Sequence, residues 1–573
     1  MAMRPARIIH PFRVCTSGFL ALLLCAGCTT LPPGAGQPRT PSSALEPSVE
    51  NTLGKAFVPL AKSHGGDSGF RMLSAGIDGL TARVEMIDAA QRSLDLQTYI
   101  FRADVSGNVI ARALMRAADR GVRVRVLTDD GEAIKGDERI LSLAAKPGIE
   151  FRLFNPLRYR GHLKLLRGAD WLFEEGRLDY RMHNKLMVAD NAVAIIGGRN
   201  IGDQYFQIDP ESQFGDDDVV VAGPIVQRLS AVFDQFWNSD LAIPAQAVDK
   251  RNTSDKALSD YRAMQAKDGD QAGAKHAASA PSAAVSTSVA STPGAAGTPA
   301  AAGMPAAAGT PNVASTPGAD RQPFLDIVSG RTALIWSPMT LAYDSPDKKD
   351  VDKGNSPGRL IYKGLAEQAS AVKTELLMVT PYFIPSPDEL SLLKGERDRN
   401  ARVRILTNSL AAAPNVEAHS GYIHYRVGLL QQGVELYEVR ALLGNARGSG
   451  QTKAISRNGN YGLHAKLFVF DRKVAFVGSM NFDQRSKHLN TEIGVLISSP
   501  ELSSEIATRF EALTQLENAY TVTLDKEASG KPRLVWKTKE DGKVIEYRKE
   551  PARNEWQLLK VKFLSAIPLD KEL

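Results

Sequence analysis

The sequence predicts an α/β protein in which one lobe occurs twice, each copy being a mixed sheet flanked by helices. Three observations support this fold class. A His-x-Lys pattern followed by aspartate, glycine and asparagine recurs with the same spacing at 181–200 and 462–481. The stretches before both copies alternate strand-like and helix-like patterns, which is typical of parallel strands joined by helices. A segment rich in Ala, Pro, Gly, Ser and Thr at 271–322 separates the two halves.

The first lobe is expected over residues 52–252. Its apolar periodicity and strand-like runs predict four elements ahead of the first motif. These are a helix at 76–90, a strand at 94–101, a helix at 108–120 and a strand at 122–127.

The second lobe is expected over residues 323–515 and repeats that order. The predicted elements are a helix at 360–371, a strand at 375–380, a helix at 388–397 and a strand at 403–406. RVRVLT at 123–128 matches RVRILT at 402–407, and Tyr99 and Tyr382 precede their motifs by similar distances. The whole lobe is therefore duplicated, and two-fold pseudosymmetry predicts that both motifs meet in one active site.

The C-terminal region, 516–573, is expected to form a β-hairpin followed by a helix. The helix at 555–567 places Trp556, Leu559, Phe563 and Ile567 on one face. Two interpretations remain open for that face: it lies on a membrane surface, or it docks on the protein's own core.

Residues 1–28 have the features of an export signal: basic residues, a short apolar run and small residues before Cys28. The run is too short to span a bilayer. The segment resembles a bacterial lipobox with Cys28 as the lipidated residue, although Cys25 stands where such motifs usually carry Leu. We expect an exported protein, anchored by lipid to the cell envelope, with the periplasmic face of the outer membrane favoured. An uncleaved N-terminal anchor is the alternative.

Length, net charge and the positions of the cysteines limit the number of domains, the kind of partner and the kind of cross-link that the chain can have. The 573 residues suggest two or three compact units, and a net charge of +6 favours a polyanionic partner such as a membrane surface or nucleic acid. The three cysteines all lie within the first 28 residues, which excludes disulfides and thiolate metal sites from the body. Residues 29–51 are expected to be a flexible tether and 271–322 a disordered linker.

Each motif carries a histidine, a lysine two positions later and an aspartate seven positions later. The predicted catalytic residues are His183, Lys185 and Asp190 in the first copy and His464, Lys466 and Asp471 in the second. On a strand, positions i and i+2 project from the same face, so each histidine is expected beside its lysine. One imidazole can attack phosphorus, the other can protonate the leaving oxygen, and two ammonium groups can hold phosphoryl oxygens.

Three further side chains are predicted to bind phosphate: the amides of Asn200 and Asn481 and the hydroxyl of Ser479. Because the protein supplies every group required, we expect no cofactor and no metal. An imidazole in such a role needs a carboxylate to fix its tautomer. The candidates are Glu492 and either Asp216 or Asp217.

The two motifs resemble the HKD signatures of the phospholipase D superfamily. The words GGRNIGDQYF and GSMNFDQRS around them are similar to its bacterial cardiolipin synthase branch. The resemblance implies a phosphohistidine intermediate, with His183 as nucleophile and His464 as the acid that later becomes the base. It also implies structural roles for Asp190 and Asp471 and an orienting role for Asp216 and Glu492.

The function expected from this resemblance is phosphatidyl transfer to phosphatidylglycerol, giving cardiolipin, with phosphatidylethanolamine as a second candidate lipid and with both motifs in one monomeric chain. A phospholipase D that transfers to water is the first alternative. An exported nuclease, supported only by the basic charge, and a lipid-binding scaffold with a degenerate site are the others. Two stretches, 155–173 and 408–430, are candidates for lipid contact, the second through His419, Tyr422 and His424.

Overall fold

The computed structural model describes residues 32–131, 137–158, 176–265, 322–348, 360–443, 461–526 and 530–567. The predicted signal segment with Cys28, the linker at 271–322 apart from its last residue, and most of the stretch at 155–173 lie outside these residues. None of the described helices is long and apolar enough to cross a bilayer.

The first lobe contains nine strands and the helices between them within the described ranges. Its elements in order are α1 (Thr52–Ser63), β1 (Ser68–Leu73), α2 (Gly76–Ala89), β2 (Ser93–Thr98), α3 (Val105–Asp119), β3 (Arg123–Asp129), a 3-10 helix (Asp137–Ala145), β4 (Ile149–Phe154), β5 (Leu186–Ala189), β6 (Val193–Gly197), β7 (Gln213–Gly215), β8 (Asp218–Ala222), α4 (Pro224–Trp237), β9 (Ala242–Pro244) and α5 (Ala245–Val248).

The second lobe follows the same plan and continues into the C-terminal region. Two elements that precede it, α6 (Pro323–Val328) and β10 (Ile335–Ser337), pack on the first lobe, where β10 pairs with β1 and Phe324 lies in the core, so the expected start of the second lobe at 323 is corrected to β11. The elements of the second lobe and the C-terminal region are β11 (Met339–Tyr343), α7 (Leu360–Ser370), β12 (Glu375–Val379), α8 (Pro387–Asp398), β13 (Arg402–Asn408), α9 (Val416–Tyr422), α10 (Arg426–Gln431), β14 (Glu435–Val439), β15 (Tyr461–Leu463), β16 (Leu467–Phe470), β17 (Val474–Gly478), α11 (Gln484–His488), β18 (Ile493–Ile497), α12 (Pro500–Leu513), β19 (Ala519–Lys526), β20 (Pro532–Glu540), β21 (Lys543–Tyr547) and α13 (Glu555–Ser565).

Strand order demonstrates the duplication. The first sheet runs β10-β1-β8-β6-β5-β2-β3-β4-β9 and the second β11-β18-β17-β16-β12-β13-β14-β19-β20-β21 over the described residues. The eight strands from β1 to β9 in the first order correspond one to one with the eight from β11 to β19 in the second. In both, three adjacent strands are parallel, β2-β3-β4 and β12-β13-β14, while their neighbours are antiparallel. The predicted fold class, two duplicated α/β lobes with mixed sheets, is confirmed.

The two lobes share a hydrophobic core. Side chains from the first sheet and α4, including Val188, Val221 and Phe233, lie in one buried cluster with Val469 and Val495 of the second sheet. Separate clusters fill the outer side of each sheet. Burial of an apolar interface of this kind holds the lobes together as one body.

A short two-stranded sheet also crosses between the lobes. β7 of the first lobe pairs in parallel with β15 of the second, with Gly215 opposite Leu463. This pairing ends one residue before His464 and one residue before Asp216, so it positions both.

The structure corrects the expectation of a flexible tether at 29–51 for the part of that segment that it describes. Residues 32–51 lie along the first lobe, where Thr40 O accepts a hydrogen bond from Arg152 Nη2 (2.9 Å) and Ser42 O accepts one from Arg125 Nη1 (2.9 Å). Both guanidinium groups are buried and need acceptors, which these backbone carbonyls supply. The segment is therefore part of the folded lobe.

Candidate active site

Both His-Lys pairs lie in extended segments immediately before a central strand. The strands begin at Leu186 and Leu467, so the pairs precede β5 and β16. All four side chains are buried. Lys185 Nζ donates to His183 O (2.6 Å), and Lys466 makes the equivalent bond to the carbonyl of His464. Each lysine is thus held beside its histidine, as the two-residue spacing predicts.

Each histidine is hydrogen-bonded through its backbone to the opposite lobe. His183 N donates to Thr491 O (2.9 Å), and His464 N donates to Gly215 O (2.8 Å). The residues that follow these two acceptors are Glu492 and Asp216. The same cross-lobe contact therefore occurs twice and brings a carboxylate to each imidazole.

The histidine side chains also contact these carboxylates of the opposite lobe. His183 Nδ1 lies 2.9 Å from Glu492 Oε2, and His464 Nδ1 lies 2.6 Å from Asp216 Oδ2. A ring that donates its Nδ1–H to a carboxylate leaves Nε2 as the nitrogen that can reach a substrate. Lys466 Nζ lies beside the His464 ring, 2.9 Å from Nδ1 and 3.2 Å from Nε2. Both ammonium groups lie close enough to His183 to act on its charge, so the two imidazoles and the two lysines form one cluster at the interface between the lobes.

The neighbouring acidic residues are not a solvated turn. Asp217 forms an ion pair with Arg509 of α12 in the second lobe, and Asp218 forms buried ion pairs with Arg83 and Arg199. Of the two candidates for orienting an imidazole, Asp216 therefore faces His464, and Asp217 instead links the lobes.

Aromatic rings enclose the histidines. Tyr99 packs edge-on against His183 with ring centroids 5.0 Å apart, Tyr205 packs edge-on against His464 at 5.1 Å, and Phe214 stacks on His464 at 5.3 Å. The pairing of Tyr99 with Tyr382 across the duplication was a sequence signal for the first contact. Tyr205 and Phe214 had no such signal, because they approach His464 from the other lobe.

The structure corrects the prediction that the Ser479 hydroxyl binds phosphate. Ser479 Oγ donates to Glu492 Oε2 (2.5 Å) and accepts from Ile493 N (3.0 Å). Ser486 Oγ donates to the other oxygen of the same carboxylate (2.8 Å). Ser479 therefore holds the group that orients His183, and its hydroxyl is fully buried.

The two asparagines predicted to bind phosphate differ in their partners. Asn200 Oδ1 accepts from Ile100 N (3.2 Å), and its side chain is hydrogen-bonded to Tyr205. Asn481 is buried, and its Oδ1 has no hydrogen-bond partner within the described residues. Neither residue contacts a histidine side chain through a hydrogen bond in the described part of the chain, and phosphate binding stays a prediction for both.

Asp190 and Asp471 do not meet the reacting groups. Asp190 accepts backbone N–H bonds from Arg92 (2.7 Å) and Ser93 (2.9 Å), while Asp471 accepts from Thr374 (2.7 Å) and the next residue. They follow the far ends of β5 and β16 and fix the chain where it enters β2 and β12. These contacts agree with the structural role that the resemblance implies for both aspartates, and they do not support counting either one among the catalytic residues.

Burial and the two lysines control the charge of the imidazoles. Burial lowers the pKa of His183 well below its usual value, and the charges of Lys185 and Lys466 add to this. Burial and Lys466 lower the pKa of His464 to about 3. Burial also lowers the pKa of Lys466 to about 8 and that of Lys185 well below its usual range. Both rings are therefore neutral near pH 7 when no anion is bound.

The two orienting carboxylates differ. Burial raises the pKa of Glu492 to about 7, against the opposing effects of Lys185 and Ser479. Burial acts in the same direction on Asp216, but His464 and Lys466 outweigh it, and its pKa falls below the usual range. Asp216 is thus ionised at all ordinary pH values, whereas Glu492 titrates near neutrality. Across the described residues, no group of three or more His, Cys, Asp or Glu side chains could hold a metal ion.

The structure also corrects the prediction that His419 and Tyr422 contact lipid. Tyr422 is buried, and its OH donates to Glu438 Oε1 (3.2 Å). His419 is also buried, with Nε2 2.7 Å from Glu550 Oε1. These side chains complete an internal polar network with Arg426 and do not line a lipid path, because a buried charged cluster needs all of its hydrogen-bond partners.

Comparison with known proteins identifies relatives over most of the chain. The family described as cardiolipin synthase, PLD-like domain, matches residues 84–237 and 365–514. Cardiolipin synthase C of Escherichia coli (strain K12) is 32% identical over 522 residues, covering 90% of this chain and 99% of that protein. A cardiolipin synthase of Geobacillus thermodenitrificans is 23% identical over 440 residues, covering 77% of this chain and 64% of that protein.

Among solved structures, the phosphatidylserine synthase of Haemophilus influenzae aligns with 81% of this chain and 91% of its own. Its TM-score is 0.47 and its identity 13%, values too low to support a conclusion. The two family matches coincide with the two lobes, and each contains one His-Lys pair. The chain therefore belongs to the cardiolipin synthase family with PLD-like domains, within the phospholipase D superfamily.

Proposed function

We propose that this enzyme is a cardiolipin synthase that passes a phosphatidyl group from one phospholipid to a hydroxyl of phosphatidylglycerol through a phosphatidyl-histidine intermediate. Membership of the family supports a phosphatidyltransferase, and its relative in Escherichia coli is named cardiolipin synthase C. The observation that carries the proposal is the reciprocal pairing of His183 with Glu492 and of His464 with Asp216 across one interface.

In the first step, Nε2 of His183 attacks the phosphorus of a bound phospholipid. A neutral ring is required, and the low pKa of His183 provides it. The P–O bond to the headgroup breaks, and His464 transfers its proton to the leaving oxygen. The phosphodiester anion that binds between Lys185 and Lys466 offsets their charge, which lets His464 hold that proton.

In the second step, the hydroxyl of phosphatidylglycerol gives its proton to His464 and attacks the phosphorus. The P–N bond to His183 breaks, cardiolipin forms, and both imidazoles return to their starting states. Two ammonium groups stabilise the charge that develops on the phosphoryl oxygens in both steps.

The different pKa values of the two orienting carboxylates support this division of roles between the histidines. Asp216 remains ionised and stabilises a protonated His464, which suits the ring that carries a proton. Glu492 has a raised pKa, so it orients the His183 ring with less stabilisation of an imidazolium. This difference and the family resemblance support the proposal that His183 is the nucleophile.

The proposal includes the cellular setting expected from the sequence. We propose a monomeric enzyme that is exported and attached to the envelope membrane through lipid on Cys28. Mass analysis of the protein purified from cells tests this: the expected mass is that of a diacylated chain starting at Cys28, and a mass that includes residue 1 would contradict it.

Lipid turnover by the purified protein tests the function. The protein would be incubated with phosphatidylglycerol alone, then with phosphatidylethanolamine added, in EDTA, and the products followed by mass spectrometry. We expect cardiolipin from the wild type and none from a His183→Ala, His464→Ala variant. The free headgroup alcohol identifies the donor lipid.

Other products would point to other functions. Phosphatidic acid without cardiolipin would mean that water is the acceptor, as in a phospholipase D. No turnover of any phospholipid would overturn the proposal and direct the assay to nucleic acids, for which the net charge alone provides support.

A further inference from the structure

The C-terminal helix α13 has two apolar faces. Its inner face packs on α9, with Val561 buried. The outer face carries Trp556, Leu559 and Phe563, and Ile567 follows two residues after the helix ends; all four side chains are exposed. Trp556 is 79% exposed and Phe563 67%. A helix that is apolar on opposite sides is normally covered on both, and only one side is covered here.

Specific contacts fix the helix on the protein, so the outer face has a defined direction. Lys560 Nζ lies 2.7 Å from a carboxylate oxygen of Glu417 on α9. Gln557 Nε2 donates to Leu410 O (2.8 Å), and Arg553 Nε donates to Ala411 O (2.6 Å). The outer face is therefore not a consequence of a loose chain end.

These contacts connect the helix to the active site over a short path. The loop that α13 binds follows Asn408, whose side chain exchanges two hydrogen bonds of 2.8 Å with the backbone of Leu463. Leu463 precedes His464. A Cβ on Gly462 would lie 3.0 Å from Ala412 O, so this loop and β15 are in close contact.

We propose that the outer face of α13 inserts into the headgroup and acyl boundary of an anionic phospholipid bilayer and holds the β15 side of the active site at the membrane surface. The inference rests on the proposed function, because a phospholipid substrate must pass from a bilayer to the histidines. A tryptophan and a phenylalanine together with the nearby Lys562 match the composition of helices that lie in an anionic interface. The net positive charge of the whole chain also favours binding to an anionic bilayer.

Quenching of Trp556 fluorescence tests the inserted position directly. The full chain would be mixed with vesicles of phosphatidylglycerol and phosphatidylethanolamine that contain phosphatidylcholine brominated on its acyl chains. The expected result is quenching of an emission component that is absent from the Trp556→Phe variant. This signal requires contact between residue 556 and the acyl region, so attachment elsewhere in the chain does not produce it.

A charged variant tests the contribution of the face. Leu559→Glu with Phe563→Glu changes only exposed side chains, and we expect vesicle partition to weaken at least about tenfold. Val544→Glu is the control, because Val544 is also an apolar residue with a similar exposure, 59%, and lies away from α13 on the hairpin strand β21. Partition of the control should equal that of the wild type.

Two substrate forms separate this inference from the proposed function. The double variant should lose activity on vesicles about tenfold and retain it on short-chain phosphatidylglycerol dispersed as monomers. If the wild type turns over neither form, the proposed function fails, and the quenching result still decides the inference. Equal quenching of wild type and Trp556→Phe would overturn it. A second result would also overturn it: the wild type forms a dimer, the double variant does not, and no quenching occurs. The outer face would then bind a second copy of the chain.

Discussion

The Nδ1 atom of His183 lies 2.9 Å from Oε2 of Glu492, a residue 309 positions later in the chain and in the other lobe. His464 has the reciprocal relationship with Asp216, 248 positions earlier. Neither lobe contains a complete catalytic group of histidine, lysine and orienting carboxylate. The duplicated lobes are therefore required together, and the expected consequences can be measured residue by residue.

Replacing Glu492 with Gln should lower kcat by about 10³ to 10⁴ while the fold remains intact, because an amide cannot enforce the tautomer that leaves Nε2 free. The measurement is turnover of phosphatidylglycerol, with circular dichroism as the check on folding. Ser486→Ala is the control, since it removes one hydrogen bond to the same carboxylate and should cost about tenfold or less. Equal losses in the two variants would contradict the orienting role.

The pH profile of kcat/KM should be bell-shaped with its maximum between about 7 and 8. Glu492, with a pKa raised to about 7, loses the charge that accepts the Nδ1–H of His183 as the pH falls through that value. Lys466, with a pKa lowered to about 8, loses its positive charge as the pH rises through that value. The apparent pKa values belong to the coupled cluster. The Glu492→Gln variant should lack the acid limb; a wild-type rate that stays constant from pH 5 to 7 would contradict this account.

Asp216 and Asp217 are adjacent, and the structure predicts opposite phenotypes for them. Asp216→Asn should lower kcat by about 10³ or more with little change in thermal stability. Asp217→Asn removes the charge that pairs with Arg509 between the lobes, and should lower the free energy of unfolding by about 1–2 kcal/mol while kcat changes little. Thermal midpoints and turnover measured on both variants check this, and a reversed pattern would refute the placement.

Asp190 and Asp471 should affect stability and not chemistry. Both have positive φ, 52° and 51°, which asparagine tolerates, so Asp→Asn at either position changes the charge without straining the turn. Weaker acceptance of the backbone N–H bonds should cost about 1–2 kcal/mol of stability. Turnover per folded molecule should stay within about threefold of the wild type. A loss of 10³ or more would return these aspartates to the catalytic group.

The sequence predicted those features that the duplication repeats. The two lobes and their matching sheets were predicted from the equal spacing of the two His-Lys motifs and from the strand patterns ahead of them. The sequence predicted that the two motifs meet between the lobes, but it predicted only some of the side-chain pairs that join them. Glu492 was identifiable as an orienting carboxylate from the resemblance, but the partner of the Ser479 hydroxyl was not, because that bond depends on how β17 and β18 align.

Burial explains the other differences from the sequence-based predictions. Residues 32–51 have the composition of a tether, yet their carbonyls bind the buried side chains of Arg125 and Arg152. His419 and Tyr422 have the spacing of an amphipathic helix, yet both complete a polar network around Glu438 and Glu550. In these cases the partner is a charged group far away in sequence, and local patterns carry no information about it.

Trapping of the intermediate tests the central claim most directly. The His464→Ala variant would be mixed with phosphatidylglycerol, denatured at alkaline pH to preserve phosphohistidine, digested and examined by mass spectrometry. The account predicts a phosphatidyl adduct on the peptide that contains His183, absent when His183 is also replaced. An adduct on any other residue, or cardiolipin formed by the His183→Ala variant at the wild-type rate, would contradict it.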